Sequence, residues 1–413
     1  MSSPTVQVLI GFQTTSAFGT PFQLDNATYG KLDTGTLGGF QMVDMTAQVT
    51  AIQITRGRNR QSESFNAGTA SLTLVDPTRQ LDPLNTASIY YPYVAPRQPV
   101  QILAGGVVIY TGVITDWNLA YDFVTAGNVT SAKCSDAFTV LANGAMNGWT
   151  PVEQLSNARV AAVLNLPEVA YQGSYSVGTG SSTLGAYGVP AGTNVLSYLQ
   201  NVAASEQGYL FMSANGTVTF TGRASLLNPV SAIAWTDDGT GIPYSSLTNQ
   251  YGDELLYNYV QTQSPAYTPT STAPSLAYDL TSIATYQSQI YSKLDLLNST
   301  IAETAALGQY VLGRYMNPVL RFTGVSSELG GRTAAQQATI LAVDLTSIAT
   351  VQKSFSTGTP ASVTQTLIVS GISHTIRPGS HIVNFTFESA DTSAYFTLDD
   401  AFFGRLDYNL LAF

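Results

Sequence analysis

The chain has 413 residues, and at about 100 to 200 residues per domain this length predicts two to four domains. Cys134 is the only cysteine, which excludes an intrachain disulfide and a cysteine-based zinc site. The two histidines, His374 and His381, are too few for a histidine-rich metal centre. Charged residues make up only 10% of the chain, against about 25% in an average soluble domain. So little charge favours a subunit whose surfaces are covered by neighbours in an assembly.

The charge balance is acidic, with 16 basic against 26 acidic residues and a net charge of −10. Binding to phosphate backbones is therefore not expected, because it needs clustered Lys and Arg. Residues 224–303 carry one base, Lys293, and these acids: Asp237, Asp238, Asp253, Glu254, Asp279, Asp295 and Glu303. The start of the chain has no signal-peptide pattern and no apolar run reaches membrane-spanning length, which indicates a soluble chain without a secretion signal.

Alternation of apolar and polar residues predicts β-strands in the first third of the chain. In residues 68–76, Ala70, Leu72 and Leu74 alternate with polar residues, as in a half-buried strand. Further strands are predicted at residues 47–56, 100–104, 107–115 and 128–134. Strands this short and this closely spaced predict a sandwich or a small barrel.

The middle third mixes helical and strand patterns. The predicted elements are a helix at 156–165, a Gly/Ser-rich segment at 173–192 without packed structure of its own, a helix capped by Thr193 or Asn194 and ended at Gly208, and strands at 209–212 and 217–221. Asn215 and Gly216 between those strands are the strongest short signal for a hairpin turn.

The last third is mixed as well. Strands are predicted at residues 256–264, 318–325, 339–352, 363–377 and 381–389, and an exposed loop at 264–275. Thr300 and Glu303 form the pattern of a capping box that begins a helix, which Pro318 stops. Gly308 lies on the apolar face of this helix and indicates a close approach of another segment.

A strand with a central glycine, followed by a returning strand, occurs twice. Thr111-Gly112-Val113-Ile114 with 129–141 resembles Ser370-Gly371-Ile372 with 382–398, which indicates a duplicated β domain, with chance agreement of two hairpins as the alternative. The predicted fold class is mainly β with helical insertions (α+β), with two related β-barrel or sandwich domains plus smaller mixed domains. The predicted domains are a first β domain at 1–140, a helix-plus-hairpin domain at 141–240 and a second β domain at 241–413 with a helical insertion near 278–316.

No pattern supports a catalytic, cofactor-binding or metal site. Asp33-Thr34-Gly35 matches the short aspartic-protease signature, but its second copy is missing, since Asp238-Gly239-Thr240-Gly241 has the wrong order. Ser373-His374 and Ser380-His381 lie on alternating strands without a nucleophile elbow, which indicates polar histidines on a β surface. Gly178-x-Gly180 lacks the spacing of a phosphate-binding loop.

Arg56, Arg58 and Arg60 recur at every second position and project from one face if the strand continues. One interpretation is a solvated basic face beside a turn. The other is a set of guanidinium groups that pair with carboxylates of a neighbouring subunit, because guanidinium binds carboxylate with two hydrogen bonds. Because so few charges are retained in this chain, we predict that Arg56 and Arg58 lie at subunit or domain contacts.

Several of these segments resemble minor tail proteins of long-tailed, non-contractile phages that infect actinobacteria. The matching segments are Ile54-Thr55-Arg56-Gly57-Arg58, residues 67–74, Leu81-Asp82-Pro83, Arg97-Gln98-Pro99-Val100, residues 110–117, Gly371-Ile372-Ser373-His374, residues 398–407 and Leu411-Ala412-Phe413. They are strand and turn patterns, so the resemblance carries no catalytic residues with it.

The resemblance implies a tail-tip or baseplate hub, similar to the hub protein of T-even tails and to the N-terminal hub part of tail-associated lysins. In such a hub each chain has two tail-tube-like β domains, and a homotrimer adapts threefold tip proteins to the sixfold tail tube. Implied partners are a distal tail protein or tube ring, the tape measure protein, a central tip or receptor-binding protein, and genomic DNA that passes without specific binding. No cofactor is implied.

Two other functions stay open on the sequence alone. A receptor-binding β protein would bind cell-surface glycan through aromatic residues such as Tyr90, Tyr91, Tyr93 and Trp149. A cell-wall hydrolase would need two convergent carboxylates, which no pattern places.

Overall fold

The computed structural model of the chain describes residues 2–13, 40–58, 64–121, 129–226, 230–265 and 273–390. Its first third is built from strands: β1 (Val6–Gln13), β2 (Phe40–Asp44), β3 (Val49–Gly57), β4 (Asn66–Val75), β5 (Pro99–Ala104), β6 (Val107–Ala120) and β7 (Val129–Ser135). In β4 the predicted alternation is confirmed, because Ala70, Leu72 and Leu74 are buried and the residues between them are not.

The middle third contains helices and short strands: α1 (Phe138–Asn143), β8 (Gln154–Leu155), α2 (Ser156–Leu164), β9 (Tyr175–Val177), β10 (Thr183–Leu184), α3 (Val195–Glu206), β11 (Tyr209–Met212) and β12 (Val218–Thr221). Asn194 caps α3 by accepting a hydrogen bond from the amide of Ser197, and Gln207, one residue before the predicted Gly208, takes the left-handed conformation at its end. β11 and β12 form the predicted hairpin, and Gly216 in its turn has φ of +81°.

The last third contains β13 (Ile233–Trp235), β14 (Ser246–Gln250), β15 (Tyr259–Thr262), β16 (Ser275–Tyr278), α4 (Leu280–Tyr286), β17 (Ile290–Lys293), α5 (Ile301–Tyr315), β18 (Arg321–Glu328), α6 (Ala334–Leu341), β19 (Ile348–Ser354), β20 (Ser362–Arg377) and β21 (Ser380–Ser389). The predicted strands at 363–377 and 381–389 are confirmed as β20 and β21. The helix predicted after Thr300 is α5, and the predicted loop at 264–275 lies largely outside the described residues.

One 13-stranded sheet joins the first and last thirds, with the order β14-β18-β21-β20-β3-β4-β7-β6-β5-β1-β2. In addition β19 pairs with β20, and β13 pairs with β19. The fold is therefore a β-rich α+β fold. β15, β16 and β17 form a separate small sheet that packs with α5 around its own core of Val260, Ala277, Leu296, Leu307, Val311 and Leu312. No helix in the described ranges is both long and apolar enough to cross a membrane.

The sheet contains the same five-strand arrangement twice. β3, β4, β5, β6 and β7 lie in the order β3-β4-β7-β6-β5, and β14, β18, β19, β20 and β21 lie in the order β14-β18-β21-β20-β19. All neighbours within both sets are antiparallel. The fourth strand of each set carries an irregularity in its pairing with the fifth, at Thr115 of β6 and at Ser370 of β20.

These two irregularities correct the alignment suggested by the sequence. The repeated glycine pattern matches Gly112 with Gly371, whereas matching Thr115 with Ser370 brings Asp116 opposite Gly371. The second alignment also makes the preceding pairings agree, since β5 pairs with residues 107–113 of β6 and β19 with residues 362–368 of β20. The repeat therefore lies in the strand order, in a register four residues away from the glycine match.

The prediction of a strand over 339–352 is wrong in its first part. Residues 334–341 form α6, which Thr333 begins with a full capping box, because the Thr333 hydroxyl accepts from the Gln336 amide and the Gln336 side chain accepts from the Thr333 amide. A capping box favours a helix here, because it gives hydrogen-bond partners to backbone amides of the first turn that no other helix residue can bind. The strand β19 begins only at Ile348.

The Gly/Ser-rich segment 173–192 contains β9 and β10, and Leu184 within it is fully buried. A carboxylate from outside the segment orders it. Glu206 at the end of α3 is buried and accepts hydrogen bonds from the amides of Ser181 and Ser182 and from the hydroxyl of Ser156. Composition alone could not predict this, because the ordering group lies on another element.

The predicted capping box of α5 forms by half. The Thr300 hydroxyl accepts a hydrogen bond from the Glu303 amide at 3.2 Å. The Glu303 carboxylate does not return to Thr300 in the reciprocal bond of a capping box, and instead accepts from the amide of Thr183 at 3.2 Å. The helix start is thus tied to β10 in the middle third.

Candidate functional site

The two copies of the five-strand arrangement meet where β3 pairs with β20. Residues 371–376 of β20 run antiparallel to residues 52–57 of β3. Gly57 ends β3 with φ of +108°, and a Cβ on it would lie 2.3 Å from the carbonyl oxygen of Ser370. A side chain cannot occupy that space, so Gly57 is required for this close approach. We call this contact the β3–β20 joint.

Arg56 anchors the joint to two other parts of the chain. Its side chain is buried, and its Nη2 donates to the carbonyl oxygen of Met212 at 2.9 Å and to Oδ1 of Asp344 at 2.6 Å. The other oxygen of Asp344 accepts from the amide of Ala214 at 2.8 Å. Arg56 and Asp344 together therefore hold the hairpin of β11 and β12 against the joint.

Arg58 makes the second anchor. Its Nη2 lies 2.5 Å from Oε2 of Glu388, and its guanidinium carbon lies 4.8 Å from the ring centre of Phe65 and 5.0 Å from that of Tyr209. Burial acts to lower the pKa of Arg58, but the charge and hydrogen bond of Glu388, together with Tyr209 and Tyr315, outweigh it and the pKa is raised. The Arg58 guanidinium is thus a charged group in a buried aromatic setting, where one carboxylate balances it.

The interpretation of these arginines as a solvated face is wrong. Arg56 is 5% exposed, and both arginines contact residues far away in the sequence. The alternative predicted carboxylate partners on a neighbouring subunit, whereas Asp344 and Glu388 belong to the same chain. Arg60 lies outside the described residues.

Sequence reasoning missed Asp344 and Glu388. Glu388 alternates with Val383, Phe385 and Phe387 on β21, so the pattern predicts that it faces solvent. In the structure it is 3% exposed because β11 also packs against that side, with Tyr209 near its carboxylate. The available signal is the scarcity of charge in the chain, because a buried arginine needs a carboxylate partner. This signal does not identify which carboxylate is the partner.

The two histidines do not lie on a β surface, which corrects the prediction. Nδ1 of His374 and Nε2 of His381 are 3.0 Å apart, and the residues are 4% and 0% exposed. Burial holds the pKa of His374 well below its ordinary value and lowers that of His381 to about 4. Both rings are therefore neutral at pH 7, and one donates its proton to the other.

Two further titratable groups are buried and hold structure. Asp136 accepts hydrogen bonds from the amides of Gly68 and Phe138, and burial raises its pKa to about 6. Burial also raises the pKa of Cys134 to about 12, so this thiol is protonated. Among the described residues, no group of three or more His, Cys, Asp or Glu is arranged to hold a metal ion.

Three of the acids Asp237, Asp238, Asp253 and Glu254 take part in local contacts, and one of the three, Glu254, accepts a hydrogen bond from the Gln250 side chain at 2.8 Å. Asp237 pairs with Lys353 at 2.6 Å and accepts from the amide of Ser354, and Asp238 accepts from the Thr240 amide and from the Gln352 side chain. The Asp238-Gly239-Thr240-Gly241 segment is therefore a turn closed by its own aspartate, and the hydrogen bonds from the hydroxyl and the amide of Thr240 lower the pKa of Asp238 to about 2. Asp33-Thr34-Gly35 lies outside the described residues.

The aromatic residues of the glycan-binding alternative do not come together on one exposed groove. Tyr90 is 6% exposed and stacks on Phe12 with ring centres 4.3 Å apart. Trp149 and Tyr93 are partly buried against the main core, and Tyr91 is exposed. A sugar platform needs several open rings side by side, and these four do not provide it.

The fold places the chain among known structures. It is similar to the 43 kDa tail protein of prophage MuSo2 from Shewanella oneidensis, with a TM-score of 0.58 and 14% identity over 86% of this chain and 97% of that one. A tail protein from Neisseria meningitidis MC58 has a TM-score of 0.57 and 11% identity over 84% of this chain and 94% of that one. The prophage tail protein gp18 from Listeria monocytogenes EGD-e has a TM-score of 0.50 and 7% identity over 94% and 95%.

No protein-family profile matches the sequence, and no curated protein matches it either. At such low identities the likeness shows the fold alone. This chain has the fold of phage tail proteins.

Proposed function

We propose that this chain is a structural protein of a phage tail and forms the hub of the tail tip as a homotrimer. The observation that carries the proposal is the five-strand arrangement that occurs twice in one sheet. Three copies of a chain with two such units present six units around an axis. Six units match the sixfold tail tube on one side, and three chains match threefold tip proteins on the other.

The fold shared with tail proteins supports this function, as does the low share of charged residues, 10%, which suits a surface covered by neighbours. In this proposal the hub lies at the tip of a long non-contractile tail of an actinobacteriophage, in the virion, and is assembled in the host cytoplasm. Its neighbours are the distal tail protein or tube ring, the tape measure protein and a central tip or receptor-binding protein. It has no enzymatic activity of its own.

The proposal keeps the division of the chain into units at 1–140, 141–240 and 241–413. The two outer units supply the strands of the ring. The hairpin of β11 and β12, in the middle unit, braces the β3–β20 joint through Arg56. The ring encloses the channel through which the genome leaves, without specific contact to DNA.

The experiment that tests the function is the mass of the purified chain by light scattering, combined with electron microscopy of the particles. We expect three times 43.8 kDa and a ring with a central opening. A monomer at all concentrations, or a ring with a number of chains other than three, would contradict the hub.

A further inference from the structure

The two copies of the five-strand arrangement differ in one respect, which is the covering of their edges. On β20, residues 371–376 pair with β21 on one edge and with β3 on the other. By the alignment of Thr115 with Ser370, the equivalent residues of β6 begin at Asp116. Residues 116–120 pair with β7 on one edge, and no other described strand pairs with them.

The first strand of each set shows the same difference. β3 is paired on both edges, with β4 and with β20. Its equivalent β14 pairs with β18 on one edge, and the other edge has no partner strand within the described ranges. The chain thus contains one joint of this kind and both halves of a second.

Exposure distinguishes the joined from the unjoined halves. In the joint, Gly371, Ile372, His374 and Ile376 of β20 and Ile52, Ile54 and Arg56 of β3 are buried. In residues 115–120 of β6 and throughout β14, no residue is buried. The same places in the repeated fold are covered in one copy and open in the other.

The unpaired edges of residues 116–120 and of β14 lack the features that usually prevent an exposed strand from pairing with another chain. Proteins usually protect such edges with lysine, proline or inward-pointing charges, because free amides and carbonyls pair readily with another strand. Residues 116–120 read Asp-Trp-Asn-Leu-Ala and residues 246–250 read Ser-Leu-Thr-Asn-Gln, with one charge between them. Both edges are therefore suited to accept a strand.

We propose that residues 248–250 of β14 of one copy of this chain pair antiparallel with residues 118–120 of β6 of the next copy, and that this contact continues the sheet around the ring. The occupant of each edge is a second copy of the chain, because the β3–β20 joint is the same contact made within one chain. The inference rests on the proposed ring, since it states which strands close it.

The repeat also determines the register. Thr375 pairs with Gln53 in the joint, and Thr375 is equivalent to Ala120. Ser71 and Gly324 are equivalent, because they pair with the equivalent residues Lys133 and Thr386. Gln53 pairs with Ser71 and Thr248 pairs with Gly324, so Gln53 and Thr248 are equivalent as well. Thr248 of one copy therefore lies opposite Ala120 of the next, with Asn249 opposite Leu119.

Disulfide cross-linking tests both the partner strands and the register. The matched variant carries Ala120→Cys and Thr248→Cys, whose Cα atoms would lie about 4.5 to 5.5 Å apart, within disulfide range. The control variant carries Asn118→Cys and Thr248→Cys, a diagonal pair about 7 to 8 Å apart, outside that range. Native Cys134 is buried and stays in both variants.

We expect roughly tenfold more cross-linked product from the matched than from the control variant after mild oxidation, because only the matched pair has disulfide geometry. The product should run as dimers and trimers without reductant and as monomers with it. Equal cross-linking of the two variants overturns the register, and a threefold particle without cross-links overturns the joint while leaving the hub intact. If the matched variant cross-links efficiently but its largest product contains a number of chains other than three, the result supports the joint and contradicts the trimer. A chain that stays monomeric without cross-links contradicts both.

Discussion

At the scale of single residues, Arg58 and Glu388 show how a nearly uncharged chain holds a buried charge. Their pair lies at 2.5 Å with side chains 11% and 1% exposed. Removal of Arg58 alone leaves the buried Glu388 carboxylate with only Tyr209 and the nearby charge of Arg314, and the loss of a buried ion-pair partner costs about 3 to 5 kcal/mol. We therefore expect Arg58→Met to lower the free energy of unfolding by about that amount in urea titrations.

Two variants control this prediction. The double variant Arg58→Met with Glu388→Met should recover part of the loss, because it removes both charges of the pair, although the buried Arg314 also loses the nearby charge of Glu388. Lys133→Met breaks the exposed pair of Lys133 and Asp116 at 3.9 Å and should change the free energy by at most about 1 kcal/mol. A single Arg58→Met variant as stable as the wild type would show that Glu388 finds other compensation.

The histidine pair predicts a pH dependence of stability. The folded-state pKa of His381 is lowered to about 4, and that of His374 lies well below its ordinary value. Below about pH 6.5 the unfolded chain binds protons that the folded pair does not, so the free energy of unfolding falls as the pH drops toward 4. In the variant His374→Gln with His381→Gln, this slope should be smaller by up to two protons.

The comparison of the two proteins isolates the histidines. Asp136, whose pKa burial raises to about 6, favours the folded state at low pH and loses that contribution as the pH rises through 6. It is present in both proteins and cancels in the difference. Unfolding curves measured from pH 4.5 to 7 that stay parallel would refute the assignment.

At the scale of elements, α5 offers two glycines in one helix with different surroundings. A Cβ on Gly308 would lie 3.2 Å from Oγ1 of Thr262 on β15, while a Cβ on Gly313 would meet nothing within 4 Å. Alanine stabilises a helix interior by about 1 kcal/mol over glycine, so Gly313→Ala should raise the free energy of unfolding by up to that amount.

At Gly308 the contact with Thr262 offsets the gain in helix propensity. Gly308→Ala should therefore be nearly neutral, and Gly308→Leu should destabilise the chain by about 1 to 3 kcal/mol because it forces α5 away from β15. Thermal unfolding of the three variants checks the order. Equal gains for both alanine variants would mean that the helix packs without this close approach.

At the scale of the whole molecule, the acids between residues 224 and 303 predict the wall of the channel. We predict that Asp237, Asp238, Asp253 and Glu254 lie nearest the lumen of the ring, with solvated turns as the alternative. DNA carries one negative charge per about 1.7 Å of its axis, so acids keep it mobile where lysines would bind it. The distance of each carboxylate from the threefold axis in a tail-tip reconstruction tests this prediction. If all four carboxylates lie on the outer surface, the prediction that they line the channel is wrong.

A variant tests the same wall in function. Asp253→Lys should slow DNA ejection, in a way that added salt relieves. Glu153→Lys is the matched control, because this glutamate is exposed and lies in the middle third. Asp237, Asp238 and Glu254 are unsuitable for this test, since they accept hydrogen bonds from Lys353, Gln352 and Gln250, respectively.

Local patterns determined the elements that depend on neighbours in the sequence. The alternation in β4 and β21, the Asn-Gly turn and the cap of α5 all follow from residues within a few positions of each other. The exception is α6, whose last residues, 339–341, fall within the strand predicted over 339–352, although the capping box of Thr333 and Gln336 is present in the sequence. The fold class could therefore be predicted, because strand periodicity and turn chemistry are short-range properties.

The tertiary structure alone decided the partners of the charged residues and the edges of the sheet. Asp344 and Glu388 lie 288 and 330 positions from the arginines that they bind, and no local pattern connects them. The repeated glycine pattern in the sequence indicates a repeat. Its register depends on the bulges at Thr115 and Ser370, which are properties of paired strands. A sequence indicates which segments can form strands, whereas only the assembled sheet shows which strand edges already have a partner strand.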